Sequence, residues 1–173
     1  MATVTFKGNT VSIQGEIPQK GSQAHDFKFV KQDLSEASLF DYDNKIKVIL
    51  AVPSLDTGVC AMETKKFNQK LADFSDVEAI VISKDLPFAM GRFCETERIE
   101  NVTSASDFRY NDFGSKYNTD MIEGLLKGLS SRAVFVVDRD NTIQYTELVP
   151  EITQEPDYDK AMEVVERLSS KII

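Results

Sequence analysis

The sequence predicts an α/β fold, and three patterns carry that expectation. Residues 48–52 form an unbroken apolar run, Val-Ile-Leu-Ala-Val, and with Ile46 and Lys47 read as a buried strand over 46–52. Residues 77–83 repeat this character, and between the two runs Phe67, Leu71 and Phe74 fall at i, i+4 and i+7, one apolar stripe of a helix. Two buried strands joined through a helix pair in parallel, because parallel pairing needs a crossover connection. A third buried strand, 133–137, turns through Asp138-Arg139-Asp140-Asn141 into 142–148, which makes that pair antiparallel.

The remaining elements follow in order. Residues 4–6 and 11–13 alternate apolar with polar around Lys7-Gly8-Asn9-Thr10, a small hairpin. Residues 15–21 are a loop carrying Pro18, 27–30 a strand, and 34–44 a polar connection anchored by Leu39 and Phe40. The helix after the first central strand covers 61–74. Pro87 opens a short helix through Cys94, since proline is tolerated in a first helical turn. Residues 102–105 form a brief strand, 108–117 a helical or turn-like segment, and 120–129 a loop with two glycines. Pro156 opens a last helix with Ala161, Val165, Leu168 and Ile172 at helical spacing. The succession βαβ, helix, ββα is that of a thioredoxin-like fold. It is expected as a single domain over 1–173, with an N-terminal β-hairpin extension over 1–16.

Composition narrows the function. At 173 residues the chain is long enough for one domain with its own core. A formal net charge of -8 argues against nucleic acid or an anionic membrane as partner, since both select basic surfaces. Residues 1–6 lack the basic start and apolar segment of an export signal, and no run approaches membrane-spanning length. The expectation is a cytoplasmic protein. In that reducing compartment, a cysteine pair that bonds is transient and catalytic rather than structural.

The segment Pro53-Ser54-Leu55-Asp56-Thr57-Gly58-Val59-Cys60 joins the first central strand to its helix. Backbone N–H groups at a helix start are unpaired and carry partial positive charge, which favours a thiolate, the reactive form of cysteine. A buried apolar cysteine is the common alternative. Against it stand the proline stop, the strand-to-helix junction and Thr57, which can aim a hydroxyl at the sulfur or simply cap the helix. Thr57 stands where a C-x-x-C motif would have its first cysteine, and a lone thiolate suits attack on oxygen better than rapid dithiol exchange. Pro53 has no functional group of its own; its expected part is to shape the loop and shield the thiolate from water. Cys94, among Phe88, Ala89 and Phe93, is either a core cysteine or a partner for Cys60. Arg132 directly precedes the third strand, where an arginine is ordinarily a solvated charge. His25, the only histidine, lies in a polar stretch and reads as a surface residue. One histidine and two distant cysteines lack metal-ligand spacing, and there is no glycine-rich phosphate loop. No cofactor and no metal is expected.

P-x-x-x-T-x-x-C after a hydrophobic strand resembles the peroxidatic loop of the peroxiredoxins. Together with Asp85-Leu86-Pro87-Phe88-Ala89, Arg92-Phe93-Cys94 and Leu126-Lys127-Gly128-Leu129, it makes nearly the whole chain resemble the bacterial thiol peroxidase family, atypical two-cysteine peroxiredoxins. The resemblance implies reduction of hydrogen peroxide and organic hydroperoxides. Cys60 would be peroxidatic and Cys94 resolving, through an intramolecular disulfide. Arg132 would reach the thiolate, and with Thr57 stabilise it and the leaving oxygen. Thioredoxin would be the reductant, and the chain a homodimer. The rival expectation is a non-catalytic redox sensor, which reacts once with peroxide where an enzyme turns over. Thr57 and Arg132 together favour the enzyme.

Overall fold

The computed structural model describes residues 2–169. Its organising strand is β5 (Ile46–Ala51), buried at every residue. It pairs in parallel with β6 (Val77–Ser83), matching Ile49 to Ile80, and antiparallel with β8 (Ala133–Val137), matching Ile49 to Phe135. α1 (Gly58–Lys70) makes the crossover to β6, and α2 (Pro87–Glu97) makes the next one to β7 (Val102–Ser106), again parallel. β9 (Ile143–Leu148) closes one edge antiparallel to β8. On the other edge β3 (Lys28–Val30) pairs with β7 and with β4 (Glu36–Ser38). The seven-stranded order is β4-β3-β7-β6-β5-β8-β9. β1 (Thr3–Phe6) and β2 (Asn9–Ser12) form the separate hairpin expected at the N-terminus.

Strand alternation sends side chains to two cores. Val48, Leu50, Val81, Val134 and Val136 face α1, α2 and α4 (Tyr158–Leu168), meeting Phe67, Met90, Cys94, Ala161 and Val165. Cys60 belongs to this same face. Ile49, Ala51, Ile80, Ile82 and Phe135 face the other way, toward the hairpin's Val4 and Val11 and the aromatic side chains of α3 (Asp112–Tyr117). There the Phe113 and Tyr117 rings stack at 4.5 Å. The one polar residue of β5, Lys47, is buried, and its Nζ donates to Asn141 Oδ1 at 2.7 Å. Among the described residues no helix is long and apolar enough to cross a membrane.

Several expected boundaries shift. The connection 34–44 contains β4 and a 3-10 turn, Leu39–Tyr42. Three residues of edge strand are too few to show period-two alternation. Leu39 anchors this segment in the core, while Phe40 is 37% exposed. α1 starts at Gly58 rather than 61 and ends at Lys70, so Phe74 packs from beyond the helix. Within 108–117 only Asp112–Tyr117 is helical. α4 starts at Tyr158, after Asp157, whose carboxylate accepts from the Lys160 amide as a helix cap. Ile172, expected on its apolar stripe, lies outside the described residues.

Candidate active site

β5 hands the chain to the site. The Val52 amide donates to Ile82 O at 3.1 Å, and Pro53, which has no N–H, ends the ladder there. Residues 54–57 then close a turn on Ser54. Its carbonyl accepts from the Thr57 amide at 3.2 Å and the Thr57 hydroxyl at 3.0 Å, and its Oγ accepts from the Asp56 amide at 3.1 Å. Thr57 is the N-cap residue of α1 and has extended backbone. The first helical bond runs from the Ala61 amide to Thr57 O. The amides of Gly58, Val59 and Cys60 therefore have no helical acceptor, and Cys60 sits on the positive end of α1. Pro53 and Cys60 are buried, while Asp56, Thr57 and Gly58 are exposed, so the sulfur lies beneath the rim of its own loop.

Arg132 meets it from the other side of the loop. It is no solvated edge residue: only 1% of it is exposed. Its Nε and Nη2 donate to Ile152 O at 3.1 and 2.8 Å, which fixes the plane of the guanidinium. Its Nη1 then points at Cys60 Sγ, 3.2 Å away, and at Glu63 Oε1, 2.9 Å away. The sulfur is therefore in direct contact with a permanent cation.

Glu63 is a residue that sequence reasoning passed over. It follows Cys60 by one helical turn, and that i, i+3 spacing in the first turns of α1 was the available signal. It is fully buried, and its Oε2 has no hydrogen-bond partner among the described residues. Burial pushes its carboxyl up to about 7, with the Arg132 charge pulling the other way. One guanidinium thus serves two acidic groups, a thiol and a carboxyl.

The other expected residues separate. The Thr57 hydroxyl is spent on the Ser54 carbonyl. It makes no hydrogen bond to Cys60, nor does the side chain cap α1, because the tight Ser54 turn offers a nearer acceptor. Cys94 lies on α2, buried, with its sulfur a free thiol like that of Cys60. Burial pushes the Cys94 thiol up, and the Ser104 hydroxyl beside it pulls the other way. Cys94 also lines a groove of about 280 Å³ with Gln32, Asp33, Ile99 and Glu100. The second half of α1 is tied to the end of α2 and to the residues just after it. Lys65 Nζ stands 3.0 Å from Glu97 Oε1, and Asn68 Oδ1 accepts from the Glu100 and Asn101 amides at 3.0 and 2.6 Å. His25 is exposed and stands in a T-shaped contact with the Tyr117 ring, with no hydrogen bond or ion pair to Cys60, Arg132 or Glu63.

Comparison with known proteins places this arrangement. The Redoxin family profile matches residues 19–162. The thiol peroxidase of Leptospira interrogans serovar copenhageni is 56% identical over 164 residues, covering 94% of this chain and 96% of that protein. The thiol peroxidase of Aquifex aeolicus is 47% identical over 166 residues, covering 96% and 98%. Among solved structures, a peroxiredoxin-like protein from Aquifex aeolicus superposes with a TM-score of 0.92 at 47% identity, covering 96% of both chains. A thiol peroxidase from Chromobacterium violaceum, at 22% identity and a TM-score of 0.88 over 95% of both chains, shares the fold. A hydrophobic strand, a proline stop and a helix-start cysteine facing a buried arginine therefore stand here in a family setting: the chain belongs to the Redoxin family, in its thiol peroxidase branch.

Proposed function

We propose that this chain reduces hydrogen peroxide and organic hydroperoxides through a Cys60 sulfenic acid, with Cys94 as resolving cysteine and thioredoxin as reductant. The observation that carries the reading is the placement of Cys60 Sγ on a helix start and 3.2 Å from Arg132 Nη1. The Cys60 thiolate attacks one peroxide oxygen, the O–O bond breaks, and the departing oxygen takes a proton to leave as water or alcohol. Arg132 and the free amides of the first turn stabilise the developing negative charge. Pro53 keeps water off the sulfur, and Thr57, at the rim, is placed to meet the peroxide after its hydroxyl turns off Ser54.

In the second step of this reading, Cys60 Sγ leaves Arg132 and meets Cys94. The Cys94 thiol condenses with the sulfenic acid, the S–S bond forms within the chain, and a second water departs. A thioredoxin dithiol is oxidised as it reduces that bond to two thiols. A cytoplasmic homodimer, each chain one domain over 1–173, completes the proposal; sedimentation tests the dimer.

Cys94→Ser tests the division of labour. It should consume about one peroxide per chain, as one sulfenic acid forms on Cys60, and then stall without thioredoxin-supported turnover. Full turnover in this variant would remove Cys94 from the cycle. Were the chain a sensor, the wild type too would react once and stall, so sustained peroxide consumption by the wild type decides between enzyme and sensor.

Gly58 sets how readily the first turn opens. Its backbone has no positive φ, and a Cβ added there meets nothing within 4 Å. Gly58→Ala should therefore stabilise the fold by ~0.5–1 kcal/mol, largely by restricting the unfolded chain. A firmer first turn also slows departure of Cys60 from Arg132, leaving its sulfenic acid exposed longer to a second peroxide. Calorimetry should show a higher Tm, and mass spectrometry a larger sulfinic fraction at equal peroxide dose. A lower Tm would reveal strain at this position.

A further inference from the structure

The motif Asp85-Leu86-Pro87-Phe88-Ala89 plays no part in the chemistry above, yet its first residue binds the Cys60 loop. The Ser54 hydroxyl donates to Asp85 Oδ1 at 2.8 Å, and the Leu55 amide donates to Oδ2 at 2.8 Å. The same Oδ2 accepts from the Ser83 hydroxyl at 2.7 Å, and the Ser106 hydroxyl donates to the Asp85 carbonyl at 2.6 Å. Asp85 is thereby fixed to the ends of β6 and β7. Among the described residues, every side-chain hydrogen bond that leaves the segment 53–57 ends on Asp85. Two residues after Asp85, Pro87 opens α2, the helix that carries Cys94.

The two cysteine-bearing segments are thus joined at two places. Lys65–Glu97 and Asn68 tie the second half of α1 to the end of α2 and the residues after it, and the Asp85 carboxylate ties the Cys60 loop to the root of α2. We propose that Asp85 is a positioning residue that holds the Cys60 loop closed for reaction with peroxide, and that release of its hydrogen bonds to Ser54 and Leu55 limits disulfide formation with Cys94. The inference rests on the peroxidase reading of Cys60 and Cys94. Bonds that keep Cys60 Sγ on Arg132 speed the first step, and the same bonds must break before the second.

Asp85→Asn keeps the size of the side chain but replaces one acceptor oxygen with a donor group facing Leu55 N–H or a serine hydroxyl. Quenched-flow mass spectrometry with limiting hydrogen peroxide then reads two rates, loss of the Cys60 thiol and appearance of the disulfide. The first should fall by about tenfold, the scale of one charge-assisted hydrogen bond, and the second should rise by a similar factor. The sulfinic fraction under excess peroxide should drop. Ser54→Ala removes one of the two loop bonds to Asp85, together with the Oγ acceptor of the Asp56 amide inside the turn, while leaving Asp85 and its bond to the Leu55 amide in place, and should move both rates in the same directions by a smaller factor. It also carries the test should Asp85→Asn fail to fold. A residue that merely supports the fold would lower Tm without moving the two rates in opposite directions. Both rates within twofold of wild type in the folded variants, or both falling together, would overturn the proposal. A wild type that consumes peroxide but forms no Cys60–Cys94 disulfide would overturn the underlying reading instead.

Discussion

Cys60→Ser should consume no peroxide with thioredoxin, with a small thiol, or with any other dithiol donor. Serine differs from cysteine by one atom, and the site is buried, so the fold and the Arg132 contacts to Ile152 and Glu63 have every reason to persist. What disappears is the nucleophile. A hydroxyl is not ionised near neutrality, and even beside a cation it lacks the nucleophilicity of a thiolate toward oxygen. The free amides of the first turn and Arg132 remain, but they stabilise charge that no longer develops. The assay is peroxide loss against time at excess donor, with circular dichroism to establish folding. Residual turnover in a folded Cys60→Ser protein would mean that the chemistry lies elsewhere, and Cys94 is the remaining thiol to test.

Arg132→Met should slow the single-turnover reaction with peroxide by ~100-fold or more, in the range seen when one transition-state donor is removed. The variant also carries a stability cost that must be separated from catalysis. Removing the guanidinium leaves Glu63 buried without its cation, a change of ~3–5 kcal/mol if the carboxyl stays charged. Arg132→Met combined with Glu63→Gln removes both partners, and should recover most of the lost Tm while leaving the peroxide reaction slow. A double variant reacting at the wild-type rate would reduce Arg132 to a partner for Glu63 alone. The pair also predicts a pH dependence. With the folded Glu63 carboxyl raised to about 7 against an ordinary value of 4.5, the folded chain holds this proton more tightly than the unfolded chain. The Glu63 contribution to stability is therefore fully present below pH 4.5, declines as pH rises toward 7, and is level above that. Denaturant melts of Glu63→Gln across this window should lack that decline.

Much of this site was legible in the sequence because chemistry and local pattern coincide there. An apolar run, a proline and a cysteine near a helix start can be read without tertiary information, and β5, β6 and β8 lie where the apolar runs place them. Arg132 could be oriented only through the family resemblance: nothing local distinguishes a solvated edge arginine from one fixed on Ile152 O and aimed at Cys60. The Thr57 hydroxyl illustrates the opposite case. Its position invites both a catalytic and a capping role, yet Ser54, three residues back, offers the acceptor it uses. Glu63 and Asp85 escaped for a shared reason. Each is a common charged residue whose importance comes from partners far along the chain, 69 positions away for Glu63 and Arg132 and about thirty for Asp85 and the Cys60 loop.

The proline stop after β5 also partitions the molecule's rigidity. β5 is paired on both sides and buried along its length, so its amides should exchange with deuterium only through global unfolding. Past Pro53, the amides of Asp56 and Thr57 are held only by bonds to Ser54 within the turn, and those of Gly58 and Val59 precede the first helical bond. Deuterium uptake should climb steeply across that single residue. The loop can then open and reclose on every redox cycle at a fraction of the global unfolding free energy, and the sheet never has to loosen for the sulfur to move.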